Sequence, residues 1–348
     1  MRKNLQLLFI LILLAIGAGI VWSLKGGTRK KPLANFAIED TAAVTKIVIT
    51  DADLNKAVLE RDPNSRYWDL NGKYKARKDA VDLLLKTALR IRVKGPVPEP
   101  ALENVLRQMA GAGKKVEYYQ GGDKPVKTYY IGTATQDHTG TYMLLETPEE
   151  GKSSEPFIMY MEGFVGFLNT RYFTDEEEWR YTGIFDYPNL EISQVDVIHH
   201  EAIDRSFTIY YNEGNDLKLQ SKSFQMDIPV FDTLAVKDYF LLYKKVHLET
   251  YVSHLTPEAE DSLLNSQPAF TLAVTEKGGN RKKIDLYWKT GGSPLYDEFG
   301  NLSPWDGARM YGVVNGDDVV MVQRFVFDPL IQGIDSFLPR THEKNTVY

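Results

Sequence analysis

Apolar and polar residues alternate through 44–50, and the β-branched side chains there predict a strand. Ala57–Glu60 and Tyr67–Leu70 follow as short strands, separated by the turn residues 62–65 and closed by Asn71 and Gly72. The period then changes. Val81, Leu84, Leu85, Ala88 and Leu89 recur at helical spacing, which predicts a helix over 77–92. Gly95, Pro96 and Pro98 break it, and a second helix runs from Pro100 to Gly111. Lys115–Gln120 and Lys127–Thr133 read as a hairpin around Gly121 and Gly122. Strands at 141–146 and 156–160 follow, then a short helix over 162–172 that buries Phe164, Phe167 and Leu168.

The second half repeats that order. A strand at 194–200 precedes paired strands at 206–211 and 216–220, and a long helix spans 229–246. Thr256 and Pro257 open a second helix ending near Pro268. Hairpins then turn at 277–280 and 315–318, and a last helix covers 328–337. Positions 44 and 195 of the first strands are offset by 151; Phe164 and Asp328 of the closing segments are offset by 164. The jump before the last element falls in 290–307, rich in Gly, Pro, Asn and Asp, which reads as a loop insertion. Strands joined by tight turns are antiparallel. The expected fold class is therefore α+β: two tandem, similar modules of antiparallel sheet covered by a helix pair, over 32–180 and 181–348.

The first 31 residues differ from the rest. Arg2 and Lys3 precede an apolar run from Leu5 to Leu24, broken only by Gln6 and Ser23. Twenty helical residues span about 30 Å, the hydrocarbon thickness of a bilayer. Trp22 suits the membrane interface. Ala15, Gly17, Ala18 and Gly19 offer a signal-peptide cleavage site as the rival reading, but the run continues through Ile20–Trp22. The expectation is a signal anchor followed by a basic collar over 25–31, making 1–31 a unit of its own. A strict count of Lys25, Arg29, Lys30 and Lys31 against Arg2 and Lys3 favours a cytoplasmic body. The very short N-terminal tail favours export, so a periplasmic body on a single-pass inner-membrane protein is expected.

Charge sharpens the picture. The chain has 348 residues, 41 basic and 47 acidic, for a net charge of −6. All six basic residues up to Lys31 precede the first acid, Glu39, so the body carries 35 basic against 47 acidic residues, net −12. An acidic body is no match for nucleic acid. Its collar suits lipid headgroups. With no cysteine, disulfides, thiolate metal sites and Cys nucleophiles are excluded.

The strand Val44–Ile49, the segment Tyr67–Leu70 before helix Ala80–Leu89, and the pair Tyr129–Gly132 and Thr141–Leu144 behind an N-terminal anchor resemble the bacterial family called domain of unknown function 4340. The likeness covers the chain beyond residue 35. It implies an envelope accessory protein, because members are often encoded beside ABC-type transporters of the gliding-motility or secretion kind. It transfers no active-site residues.

Motifs for chemistry are sparse. Asp51, Asp53 and Asn55 imitate an EF-hand start, but Lys56 stands where glycine is needed, so a hairpin turn is the better reading. His199, His200 and Glu201 form the most metal-like cluster, but on a strand only His199 and Glu201 share a face, and no third ligand lies nearby in sequence. The acidic run 175–178 reads as solvated surface. Asp297 and Glu298 serve acid–base chemistry only if a cleft gathers them. No nucleophile elbow and no phosphate-binding loop is present. The aromatics are more informative. Tyr181, Phe185 and Tyr187 flank the module junction, and Pro294, Tyr296, Phe299 and Trp305 occupy the insertion. Tyr296, Phe299 and Trp305 are the candidate partner contacts; the plainer alternative is that they seal the insertion onto the second module. The expected function is non-catalytic: a membrane-anchored accessory protein, without cofactor or metal. Its partners would be the bilayer, through Leu5–Leu24, and an ABC permease, ATPase or related envelope protein. A surface-glycan binding module and an envelope hydrolase are the alternatives.

Overall fold

The computed structural model describes Ile16 and residues 32–212, 216–296 and 299–339. It consists mostly of antiparallel sheet with few helices, an α+β arrangement in two compact units that divide between Trp179 and Arg180. Apart from Ile16, the segment Leu5–Leu24 lies outside the described residues, as do the collar, Asp297, Glu298 and His342. Among the described residues no helix is long and apolar enough to cross a membrane.

In the first unit the strands are β1 (Lys46–Thr50), β2 (Lys56–Arg61), β3 (Trp68–Leu70), β4 (Tyr74–Lys75), β5 (Ile91–Pro96), β6 (Lys114–Tyr119), β7 (Lys127–Ala134), β8 (Thr141–Thr147), β9 (Gly151–Lys152) and β10 (Phe157–Met161). Helix α1 (Lys78–Arg90) lies between β4 and β5, and α2 (Glu99–Ala112) between β5 and β6. The sheet order is β4-β3-β2-β1-β6-β7-β8-β10-β5, with β9 added beside β8. In the second unit β11 (Gly183–Phe185) precedes β12 (Ile192–His199), β13 (Phe207–Tyr211), β14 (Leu217–Ser221) and β15 (Met226–Ile228). Helix α3 (Thr233–Leu241), β16 (Val246–His247), β17 (Thr250–Tyr251) and α4 (Pro257–Leu264) follow. The unit ends with β18 (Phe270–Glu276), β19 (Arg281–Thr290), β20 (Trp305–Val314) and β21 (Asp318–Gln323). Its order is β15-β14-β13-β12-β18-β19-β20-β21-β17, while β11 pairs separately with β16. The two orders trace the same path, and the helices interrupt them at corresponding places.

That path corrects the expected helix pair on one face. The chain crosses one face of the sheet through α1, adds β5 at the far edge, then returns across the opposite face through α2 to place β6 beside β1. Val81, Leu84 and Ala88 of α1 pack in one core with Ile47, Ile49, Val116, Tyr129 and Met143. Val105 of α2 is buried outside that core, and Met109 lies against Gly132, next in the strand to inward-facing Ile131. The second unit does the same. Val236, Tyr239 and Phe240 of α3 join the main core, whereas Leu263 of α4 packs with Tyr287, Val313 and Val319 in a separate cluster. Each sheet therefore keeps one apolar face and one mixed face. Polar pairs run along the mixed faces, including Lys46–Glu60 at 3.2 Å and the Tyr130 hydroxyl donating to Glu146 at 2.7 Å. Asp196 is buried on the second unit's mixed face, and Lys222, Thr208 and Arg281 surround it. Burial opposes its charge, yet these donors hold its carboxyl below the usual range.

Three expected helices are shorter or absent. The span 162–172 is a turn with only Asn169–Arg171 helical, because Gly163 and Gly166 take φ of 78° and 141°, outside helical space. Leu168 is buried there as expected, but Phe164 is exposed. The long helix starts at Thr233 rather than Pro229, because Asp232 caps it by accepting from the Leu234 and Ala235 amides. The span 328–337 gives way to single turns at Arg324–Phe327 and Ile334–Phe337, parted by Pro329 and Gly333.

Leu84→Ala should cost the first unit about 2–5 kcal/mol, the range for emptying a packed core site. Leu106→Ala, on an α2 position that is 37% exposed, should cost under about 1 kcal/mol. Urea unfolding of both variants checks the contrast; equal losses would mean that α2 is as deeply buried as α1.

Candidate functional site

The insertion between β19 and β20 is an extension of their hairpin. Beyond the regular ladder, Gly307 N–H donates to the Ser293 carbonyl at 2.8 Å and Ser303 N–H to the Leu295 carbonyl at 2.8 Å. Tyr296 and Leu302 form a further antiparallel bridge. The register shifts between Trp288 and Thr290, so these bonds tie the two arms together through an irregular base rather than leaving a loose loop.

A buried carboxylate fastens the base. Asp306 is 1% exposed. It accepts from the Ala308 amide at 2.9 Å, the Ser293 amide at 3.2 Å and the Lys289 ammonium at 3.0 Å. Burial opposes the charge, but these donors hold the carboxyl below its usual range. The clasp also dictates Gly292, which has φ of 84°; a Cβ there would lie 2.1 Å from an Asp306 oxygen. The indole of Trp305 stacks on Trp288, with centroids 6.1 Å apart, and Trp288 meets Phe270 edge-on at 5.6 Å. Arg324 lies over the Trp288 ring. Nearby, Arg309 makes a two-pronged ion pair with Glu249 at 2.8 Å, which holds the Glu249 carboxyl down.

The structure thus divides the three candidate contacts. Trp305 belongs to the brace, as the sealing alternative expects. Tyr296 and Phe299 are displayed, 62% and 81% exposed, with Leu302 at 67% between them and the base. Of the junction aromatics, Phe185 and Tyr187 are core residues, and the Tyr181 hydroxyl donates to Asp186.

Asp51, His199 and His200 are engaged in contacts within the fold. Asp51 accepts from the Asp53 and Asn55 amides and from the Thr174 hydroxyl, closing the β1–β2 turn. The Thr174 bond is the main reason its carboxyl is held down. His199 is buried edge-on to Phe270, and burial pushes its imidazole below the usual value. His200 bonds to the Thr271 hydroxyl instead of sharing a site with it. Among the described residues no group of three or more His, Asp or Glu side chains is placed to hold a metal ion.

Sequence reasoning missed two features. Strand β15 is only three residues long and gave no periodic signal. It lies at a sheet edge among Phe224, Met226, Val230 and Leu234, all exposed. Arg171, buried against Thr87 and Met161 with Phe164 over its guanidinium, also carried no local signal.

Asp306→Asn should loosen the hairpin base, raising proteolytic cutting within 293–304 several-fold at neutral pH. Tyr296→Ser and Phe299→Ser should leave thermal stability within about 0.5 kcal/mol, as expected for exposed positions. Limited proteolysis and calorimetry read both outcomes. Comparison with known proteins adds no assignment: no family model matches this chain, and no curated protein matches it.

Proposed function

We propose that this protein is a membrane-held, non-catalytic accessory component of a bacterial envelope complex. In this reading Leu5–Leu24 anchors it in the inner membrane, the body faces the periplasm, and the hairpin tip contacts an ABC-type transporter subunit or related envelope protein. The observation that carries the reading is the tip itself. Three large apolar side chains stand in water on a hairpin braced by a buried carboxylate and a tryptophan stack. A backbone braced at its base has less ordering left to do when a partner covers the tip, and aromatic anchors often dominate binding energy. The apolar N-terminal run and the resemblance to domain of unknown function 4340 support the location and the partner class. The acidic body argues against nucleic acid.

We also infer that the body arose by internal duplication. The repeated strand order, with helices entering at corresponding points, supports this. Each unit has its own hydrophobic core. The fragment 180–348 should therefore fold alone with a single cooperative urea transition, and a fragment without a transition would sink the idea of self-sufficient repeats.

Tagged full-length protein, gently solubilised, should retain transporter subunits, detected by mass spectrometry. Tyr296→Ser with Phe299→Ser should reduce that recovery at least tenfold, the loss of roughly 1.4 kcal/mol or more. Equal recovery with the double variant would remove the tip from the interface. Retention on isolated cell wall through the same two residues would favour the glycan-binding alternative.

A further inference from the structure

The first described residues of the body are clamped into the first unit. Phe36 and Ile38 are buried. The Leu33 amide donates to the Ser153 hydroxyl at 3.1 Å, and the Ile38 amide to the Ala88 carbonyl at 2.9 Å. The Lys127 ammonium donates to the Asn35 and Ala37 carbonyls at 2.6 Å each, and the Tyr129 hydroxyl donates to the Phe36 carbonyl. The chain therefore enters the unit at one fixed place. Pro32–Asn35 line a cleft of about 490 Å³ there, together with Val126, Lys127, Leu145, Thr147, Glu149 and Glu150.

Strand directions define what else lies at that end. β6 and β8 run toward it, and β7 runs away from it. The turns 120–126 and 148–150 sit there, while the turns 51–55 and 135–140 sit at the opposite end. β7 has eight residues, so the two ends are about 25 Å apart.

Only seven residues, 25–31, separate Leu24 from Pro32. Whatever their conformation, the eight steps from Leu24 to Pro32 reach at most about 29 Å. We infer that the end of the first unit carrying the turns 120–126 and 148–150 faces the lipid headgroup surface, because turning the unit over would hold this short tether stretched close to its full reach. The inference rests on the reading of Leu5–Leu24 as the membrane anchor. Charge does not drive it, because Lys124 and Lys127 stand beside Asp123, Glu149 and Glu150 at this end. The proximity is therefore insensitive to salt.

The absence of cysteine makes the test clean, since any introduced cysteine is the sole thiol. Single variants of the full chain, Lys124→Cys and Glu149→Cys at the near end and Ala52→Cys and Gln136→Cys at the far end, all replace exposed residues. Each is labelled with a donor dye and reconstituted into phosphatidylcholine–phosphatidylglycerol vesicles containing a headgroup-linked acceptor. Near-end donors should lose a roughly twofold larger share of emission than far-end donors, from the strand-length separation, at low and high salt alike. A long Gly/Ser insertion after Lys31 should erase the difference. Equal or reversed quenching in protein that floats with the vesicles overturns the orientation alone. A difference that survives the insertion overturns the tether as its cause. Protein that does not float overturns the anchor reading and the orientation with it.

Discussion

The central strand pairing in each unit, β1 with β6 and β12 with β18, is the constraint on which everything else hangs. Neither pair is local. Closing the first requires about 60 residues to loop out, at an entropic cost of roughly 4 kcal/mol. Nothing in a hairpin turn can supply that register. It is fixed because Ile47 and Ile49 share a face with Val116 and Tyr118, and a slip of one residue would turn all four to the wrong side. Once the pair forms, the flanking strands add by short turns on either side. The excursion must then pass over both faces to reach the far edge and come back, which is why the two helices end up apart. Such topology folds slowly relative to a helical bundle of equal size.

Local chemistry was legible in the sequence, and long-range placement was not. Asn71–Gly72 and Asn315–Gly316 adopt positive φ at both residues, the turn their identities demand. The first long helix appears within two residues of where its apolar stripe put it. The repeated order of elements was visible from spacing alone. What failed were apolar clusters in glycine- and proline-rich stretches, at 162–172 and 328–337, where hydrophobic content suggested helix but the backbone could not comply. The face to which each helix belongs was also hidden. Periodicity says that a helix has an apolar stripe, not which side of a sheet it meets.

The candidate site was half legible. Aromatics in the segment 290–307 were visible as a cluster, but Trp305 and Tyr296 look alike in a sequence. Their difference comes from Trp288 and Asp306, which lie on the flanking strands and turn one ring inward. The outer edge strands show a similar contrast. β4 presents Tyr74 and Lys75, a charged edge that discourages strand addition, while β15 lies among exposed Phe224, Met226 and Val230. Two units with the same strand order thus differ at these margins.

The close fit of Gly292 against Asp306 separates the hairpin into a part that cannot drift and a part that can. At the base, almost any side chain at 292 collides with a carboxylate that already satisfies two amides and an ammonium. At the tip, Tyr296, Phe299 and Leu302 are largely exposed, so their replacement costs folding little. Lineages carrying this design can therefore exchange tip residues with little loss of stability, while the clasp stays frozen. Variation concentrated between 294 and 304, against constancy at 289, 292 and 306, would be its genetic signature.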